Sequence, residues 1–240
     1  MALPLSERVG RILEQWFLIE PLLFSAWTTH AWVANPRIES IRIAQGRIEY
    51  NPGFLQGLPD WALDQVLRLE ALRIVLKHPY ARRKEDSRRA YLASNITVQE
   101  YLQTALPLPR AREVFGHEDY NQQYFEFYYQ RLIEVSASSP MSGEAELGGK
   151  QGPGQDQGDG DGDGDGDDRA SDGGGAASQA GDNAGKSSPL EVYRDAAAEN
   201  TAEWDLNELL IEEINQQITH AHENAHWGSI AGRLRQHILA

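Results

Sequence analysis

The sequence predicts an α+β protein that is mostly helical, with one small β-hairpin, an acidic disordered linker and a short helical tail. Three observations lead there. Apolar residues recur at helical spacing through most of residues 6–135 and again after 206. Strict alternation is confined to Ile38–Ile43 and Arg47–Tyr50. Between 136 and 189 residues able to anchor a core are almost absent, and the centre, 158–168, alternates Gly with Asp, a self-repelling composition.

Residues 6–33 read as two helices broken at Pro21. Val9, Ile12, Leu13, Trp16, Phe17 and Ile19 form the first stripe, and Leu22 to Val33 continue it with Trp27 and Trp32. Large side chains at this spacing are expected to pack as core. The hairpin follows, with Gln45-Gly46 as its turn and Ile41 and Ile43 on one face. After an Asn51-Pro52 turn, Asp60 is expected to cap a long helix that stops before Pro79. Residues 90–104 and 118–135 read as two more helices, separated by the proline-containing Leu106–Arg110. The later one is dense in aromatics (Tyr120, Tyr124, Phe125, Phe127, Tyr128, Tyr129), which suits either a helix between two layers or one showing an interaction surface. Beyond the linker, Leu206, Leu209, Leu210, Ile214, Ile218 and Ala221 make an amphipathic face, Gly228 interrupts, and Ile230, Leu234 and Ile238 begin a second.

Composition excludes several classes. Cysteine is absent, so neither disulfides nor thiolate metal sites can form. With 36 acidic residues against 22 Lys and Arg, a formal charge of −14 opposes general nucleic-acid binding. The basic run from Arg82 to Arg89 is interrupted by Glu85 and Asp86 and reads as a solvated loop. The apolar stretch Trp16–Trp27 contains Glu20, Pro21 and Ser25 and is too short to span a bilayer. With no leader-type N-terminus, a cytoplasmic protein is expected.

Glu70 and Arg73 stand inside an otherwise apolar helix (Val66, Leu67, Leu69, Leu72, Ile74, Val75, Leu76), and a buried ionised group must be paired or functional. Zinc peptidases of the zincin type carry H-E-x-x-H on such a helix, two imidazoles one turn apart with a Glu to take a proton from the bound water. Here the five positions read Leu69, Glu70, Ala71, Leu72 and Arg73. Leu69 cannot bind a metal. Arg73 would repel one, and at i,i+3 it can instead pair with Glu70. His78 survives as a potential ligand but lies beyond the helix, where packing or capping is the expected role.

The stretch from Arg47 to Arg82 resembles a bacterial family of metallopeptidase-like proteins that join a zincin-like N-terminal domain to a von Willebrand A-like C-terminal domain. The resemblance rests on the hairpin, on Tyr50-Asn51-Pro52 with Phe54, on the altered Leu69–Arg73, and on His78-Pro79 with Arg82. Leu92-Ala93-Ser94-Asn95-Ile96 is similar to the family's next helix, and Glu126-Phe127-Tyr128-Tyr129 with Leu132 to a later segment. It covers roughly the first 135 residues and, loosely, the C-terminal helices. It implies a degenerate metallopeptidase-like domain over 1–136, a linker over 137–189 and an amphipathic helical tail over 190–240. It further implies an interaction or regulatory module, with a MoxR-type AAA+ ATPase and a von Willebrand A-like protein as partners. In that picture Glu70 is a relic, no catalytic residue, metal or cofactor is expected, and the linker tethers the tail as a docking peptide. Deleting 190–240 should then leave the first domain folded.

The alternative is a zinc-dependent peptidase built on a literal match, His222-Glu223-Asn224-Ala225-His226, with Glu223 as base and His78 or His220 as third ligand. Gly228 breaks the pattern at once, and Ser229 and Gly232 stand where one zincin class needs Gly and His. A solvated, His-rich helix is the favoured expectation. Asp161, Asp163, Asp165 and Gly166 imitate half a calcium loop, with Asp172 at the bidentate position, but lack flanking helices. Gly181–Ser187 is one residue short of a phosphate loop and follows no strand. No Ser/His/Asp arrangement is evident.

Overall fold

Two helices open the chain, α1 (Leu5–Ile19) and α2 (Pro21–Thr28), with Pro21 in the first turn of the second. The computed structural model describes residues 3–138, 188–230 and 232–239. The linker, the calcium-like Asp161–Asp172 and the phosphate-loop-like 181–187 therefore lie outside the described residues, apart from the linker's outermost positions. Trp16 is fully buried, meets Trp27 edge-on at 5.8 Å and donates its indole N–H to Asp64 Oδ1 at 3.1 Å.

Helical structure does not continue to Val33, as the spacing predicted. The hydroxyls of Thr28 and Thr29 donate to the carbonyls of Ser25 and Ala26, closing α2, and Ala31–Ala34 forms strand β1. With β2 (Ile41–Ala44) and β3 (Arg47–Tyr50) it makes a three-stranded sheet in the order β1-β3-β2. β2 pairs antiparallel to β3 as the expected hairpin, whereas β1 runs parallel to β3 with Trp32 opposite Ile48. Trp32 then stacks on Tyr50 at 4.0 Å. Gln45 (φ 49°) and Gly46 (φ 76°) both take positive φ, the conformation a two-residue hairpin turn requires.

The Asn-Pro turn is the start of a short helix, α3 (Pro52–Gly57). Asn51 Oδ1 accepts from the N–H groups of Gly53 (2.8 Å) and Phe54 (3.3 Å), and proline fills the first helical position. The long helix α4 (Asp60–Val75) has Pro59 at its N-cap, so Asp60 is not the cap. It sits in the first turn and accepts from Arg8 Nε at 2.7 Å. Ala62, Leu63, Val66, Leu67 and every residue from Leu69 to Val75 are buried, which makes α4 the central element. Lys77, at φ 60°, turns the chain into α5 (His78–Ala81).

α6 (Ser87–Leu102) is capped by Asp86, which accepts from the Arg89 N–H at 2.8 Å. α7 (Ala111–Phe115), a 3₁₀ turn at Glu118–Tyr120 and α8 (Phe125–Ser138) follow, so the helix expected from 118 starts seven residues later. The delay has a cause. The buried Glu100 carboxylate accepts from the N–H groups of Ala111 (3.0 Å) and Gln122 (2.9 Å), pinning this loop against α6. Phe125 and Tyr128 are buried in the layer between α6 and α8, while Tyr124 is half exposed.

The last segment supplies α9 (Pro189–Asp195), α10 (Ala197–Ala202), α11 (Glu208–Glu223) and α12 (Gly232–Leu239). Tyr193, Ile214, Ile218, Trp227, Leu234 and Ile238 join one apolar core with α1, α2, α4 and the sheet, and Trp204 joins a second with α6, α7 and α8. Residues 188–239 and 3–138 fall in one compact unit. Tyr193, Ile214 and Ile218 of this segment are thus buried against the first 138 residues, while Leu206 and Leu209 on its apolar stripe stay exposed. Among the described residues no helix is long and apolar enough to cross a membrane.

Candidate functional site

The altered motif on α4 lies at the centre of a buried polar cluster. Leu69 is wholly inaccessible, Glu70 is 2 % exposed and Arg73 is 1 % exposed. Arg73 Nε reaches Glu70 Oε2 at 3.2 Å and Nη2 reaches Oε1 at 3.3 Å, so the ion pair expected from the i,i+3 spacing is present. Two residues of α6 complete the guanidinium's shell. Asn95 Oδ1 accepts from Nη2 at 2.8 Å, and Ser94 Oγ accepts a short hydrogen bond from Nη1. The ring of Tyr91, one turn earlier on the same face, lies 5.1 Å from the guanidinium carbon.

His78 belongs to the cluster although it lies outside α4. It is 2 % exposed, packs against Phe125 with ring centroids 5.1 Å apart, and holds Nδ1 2.7 Å from Ser94 Oγ. A guanidinium can only donate, so Ser94 Oγ accepts from Arg73 while it also bonds His78 Nδ1. Burial first, and the charges of Arg73 and Arg82 next, hold the His78 pKa well below the usual histidine range, so the ring is neutral.

The cluster is completed from the other end of the chain. Tyr193 on α9 is wholly buried and donates its hydroxyl to Glu70 Oε1 at 2.6 Å. Its backbone carbonyl accepts from Tyr91 Oη at 3.2 Å, and Asn200 Nδ2 on α10 donates to that same Tyr91 oxygen at 2.7 Å. Burial, then the Glu70 charge, pushes the Tyr193 phenol well above its ordinary range, and burial lifts Tyr91 to about 12. Burial opposes the charged form of Arg73, but the Glu70 carboxylate together with Tyr193 and Tyr91 outweighs it, and the guanidinium pKa rises. The cation is therefore fixed.

These residues do not fit a zinc ion. Leu69 offers no lone pair, Arg73 places a permanent positive charge at the second ligand position, and Ser94 occupies His78 Nδ1. Both oxygens of Glu70 are engaged, one by Arg73 alone and one by Arg73 and Tyr193. Nor is the Ser94–His78 contact a nucleophilic pair, since Ser94 is inaccessible and nothing lets a substrate reach Oγ.

The literal H-E-x-x-H is not on one helix face. α11 stops at Glu223, Ala225 takes φ 57°, and His226 turns back with its N–H on the Ala221 carbonyl at 2.8 Å. His220, His222, Glu223 and His226 are all exposed. Gly228 (φ 62°) then lets the chain pass against Glu20, whose Oε2 accepts from the Ser229 N–H at 2.8 Å. The tight loop this needs is what ends the helix. Among the described residues no three His, Asp or Glu side chains are grouped so as to hold a metal ion.

Sequence reasoning missed Tyr91, Ser94, Asn95, Tyr193 and Asn200 as members of the site. The first three carried a signal, polar groups at i, i+3 and i+4 among Ala90, Ala93, Ile96 and Val98, which marks a polar stripe on a buried helix. Tyr193 and Asn200 carried none.

A Glu70–Arg73 pair on a buried central helix, flanked by a short mixed sheet and tied by phenol, hydroxyl and amide groups, defines a helical domain built around a buried polar centre. The family described as "Putative metallopeptidase domain" matches residues 16–239, and the chain belongs to that family. No curated protein and no solved structure matches the chain significantly.

Proposed function

We propose that this protein is a catalytically degenerate member of its metallopeptidase family and works as an interaction or regulatory module. The observation that carries the reading is the Glu70–Arg73 pair, buried to 2 % and 1 % exposure where the zinc-peptidase pattern needs a free carboxylate and a second imidazole. An Arg cannot be deprotonated to become a ligand, so the position is chemically closed to zinc. Glu70 is the relic of a general base, and no cofactor is required. By resemblance to the family, the partners are a MoxR-type AAA+ ATPase and a von Willebrand A-like protein in the cytoplasm. Fold alone does not assign them.

Elemental analysis of untagged protein, paired with a pull-down against such an ATPase and a von Willebrand A-like protein, tests this reading. We expect less than stoichiometric zinc in wild type and in the His222→Ala/His226→Ala variant alike, with a partner retained on the column. One tightly held zinc per chain, lost in that variant, would reverse the conclusion. It would make His222, Glu223 and His226, with His78 or His220, the centre of a zinc peptidase, and Glu223→Gln would then abolish hydrolysis while keeping the metal.

A further inference from the structure

We infer that α9 and α10 form a closing segment in cis, which occupies the cleft above Glu70 and Arg73 as a bound ligand would, with Tyr193 as its latch. This holds whether or not the site has lost catalysis, because it rests on how the cluster is covered. Tyr193 has the marks of a docked group. Its ring stacks on Phe54 at 6.2 Å, its hydroxyl donates to Glu70, and its carbonyl accepts from Tyr91. Around it the segment is tied to three separate elements. Asn200 donates to Tyr91 on α6, Glu199 Oε2 accepts from the Glu39 N–H at 3.0 Å just before β2, and the N–H groups of Asp205 and Asn207 donate to the carbonyls of Pro79 and Tyr80 in α5.

Losing a polar tie of this kind is unlike losing a plain apolar contact, because a charged partner is left behind. Without Tyr193 the Glu70 carboxylate keeps Arg73 but loses its cover, and water reaches a pair that is now excluded from it. The segment is separated from α8 by residues 139–187, so a single chain break there would leave a closing piece held by non-covalent contacts alone.

The test uses the full chain carrying one specific protease site between 139 and 187, cut after purification. We expect the two pieces to co-elute at micromolar concentration with the circular dichroism of the uncut protein. Tyr193→Phe, which keeps the ring and deletes the latch, should weaken their association by roughly tenfold to a hundredfold, the range for a hydrogen bond to a charged group. Separation accompanied by unfolding of the N-terminal piece would show that the segment is core rather than a bound cover and would overturn the inference. Separation with residues 1–138 still folded and melting cooperatively would overturn the inference. So would a Tyr193→Phe variant whose pieces hold together as tightly as wild type.

Discussion

Replacing Arg73 with Met tests the buried pair most directly. The substitution keeps an unbranched side chain in a helix interior, so helix propensity barely changes. What changes is electrostatic: the Glu70 carboxylate, 2 % exposed, keeps one hydrogen bond from Tyr193 and loses its counter-charge. Removing one partner of a buried ion pair costs about 3–5 kcal/mol. Asn95 Oδ1 also loses its donor, within the same range of effects. For a domain of 150–250 residues each kcal/mol moves Tm by about 2–4 °C, so a fall of roughly 6–20 °C is expected. Thermal and urea unfolding followed by tryptophan fluorescence reads this, since Trp16, Trp27 and Trp204 are buried. The pair predicts strong coupling too. Glu70→Met/Arg73→Met should be at least about 2 kcal/mol less damaging than the sum of the single changes, because it removes both charges together. If Arg73→Met costs less than about 1 kcal/mol, the guanidinium is not a desolvated counter-charge and the buried pair does not hold the centre together.

Two further perturbations probe other parts of the fold. His30 is buried, donates from Nδ1 toward the Ala26 carbonyl at 3.2 Å, and accepts a short hydrogen bond from Tyr80 at Nε2; burial, only partly offset by the Ala26 hydrogen bond, lowers its pKa from 6.5 to about 4. The unfolded chain therefore binds a proton first, so the contribution is full above pH 6.5 and lost as pH falls to about 4; it is on the order of 3 kcal/mol, and His30→Gln should flatten unfolding curves measured across that window. Gly228→Ala should lower Tm by several degrees: a Cβ there, at φ 62°, would lie 2.9 Å from both Glu20 Cα and the Ile19 carbonyl, backbone that cannot step aside, and an unchanged Tm would contradict the loop geometry.

Features fixed by neighbouring residues were legible in the sequence. Gln45-Gly46 spelled its turn, Asn51-Pro52 marked a reversal, and the Glu70–Arg73 spacing foretold the ion pair. Those fixed by distant partners were not. Ala31–Ala34 is short, its partner in β3 is sixteen residues on in register, and four residues ending a helical stripe cannot declare a parallel pairing. His226 was expected on a helix because the motif has helical spacing, yet the close approach of Gly228 to Glu20 decided otherwise. The site divides in the same way. Its α4 half was readable as charges in an apolar run, while Tyr193, 123 residues from Glu70, became part of it only through tertiary packing.

The buried position of Trp204, Ile214 and Leu234 has a consequence during synthesis. Chains emerge from the ribosome at about 5–20 residues per second, so the roughly fifty residues between Ser138 and Ser188 take some seconds to appear. Throughout that interval α4, buried all round from Leu69 to Val75 in the finished molecule, lacks part of its covering, and α6 waits for Trp204. The nascent chain thus carries an open apolar seam while its last quarter is still being made, which favours holding by a chaperone over early release.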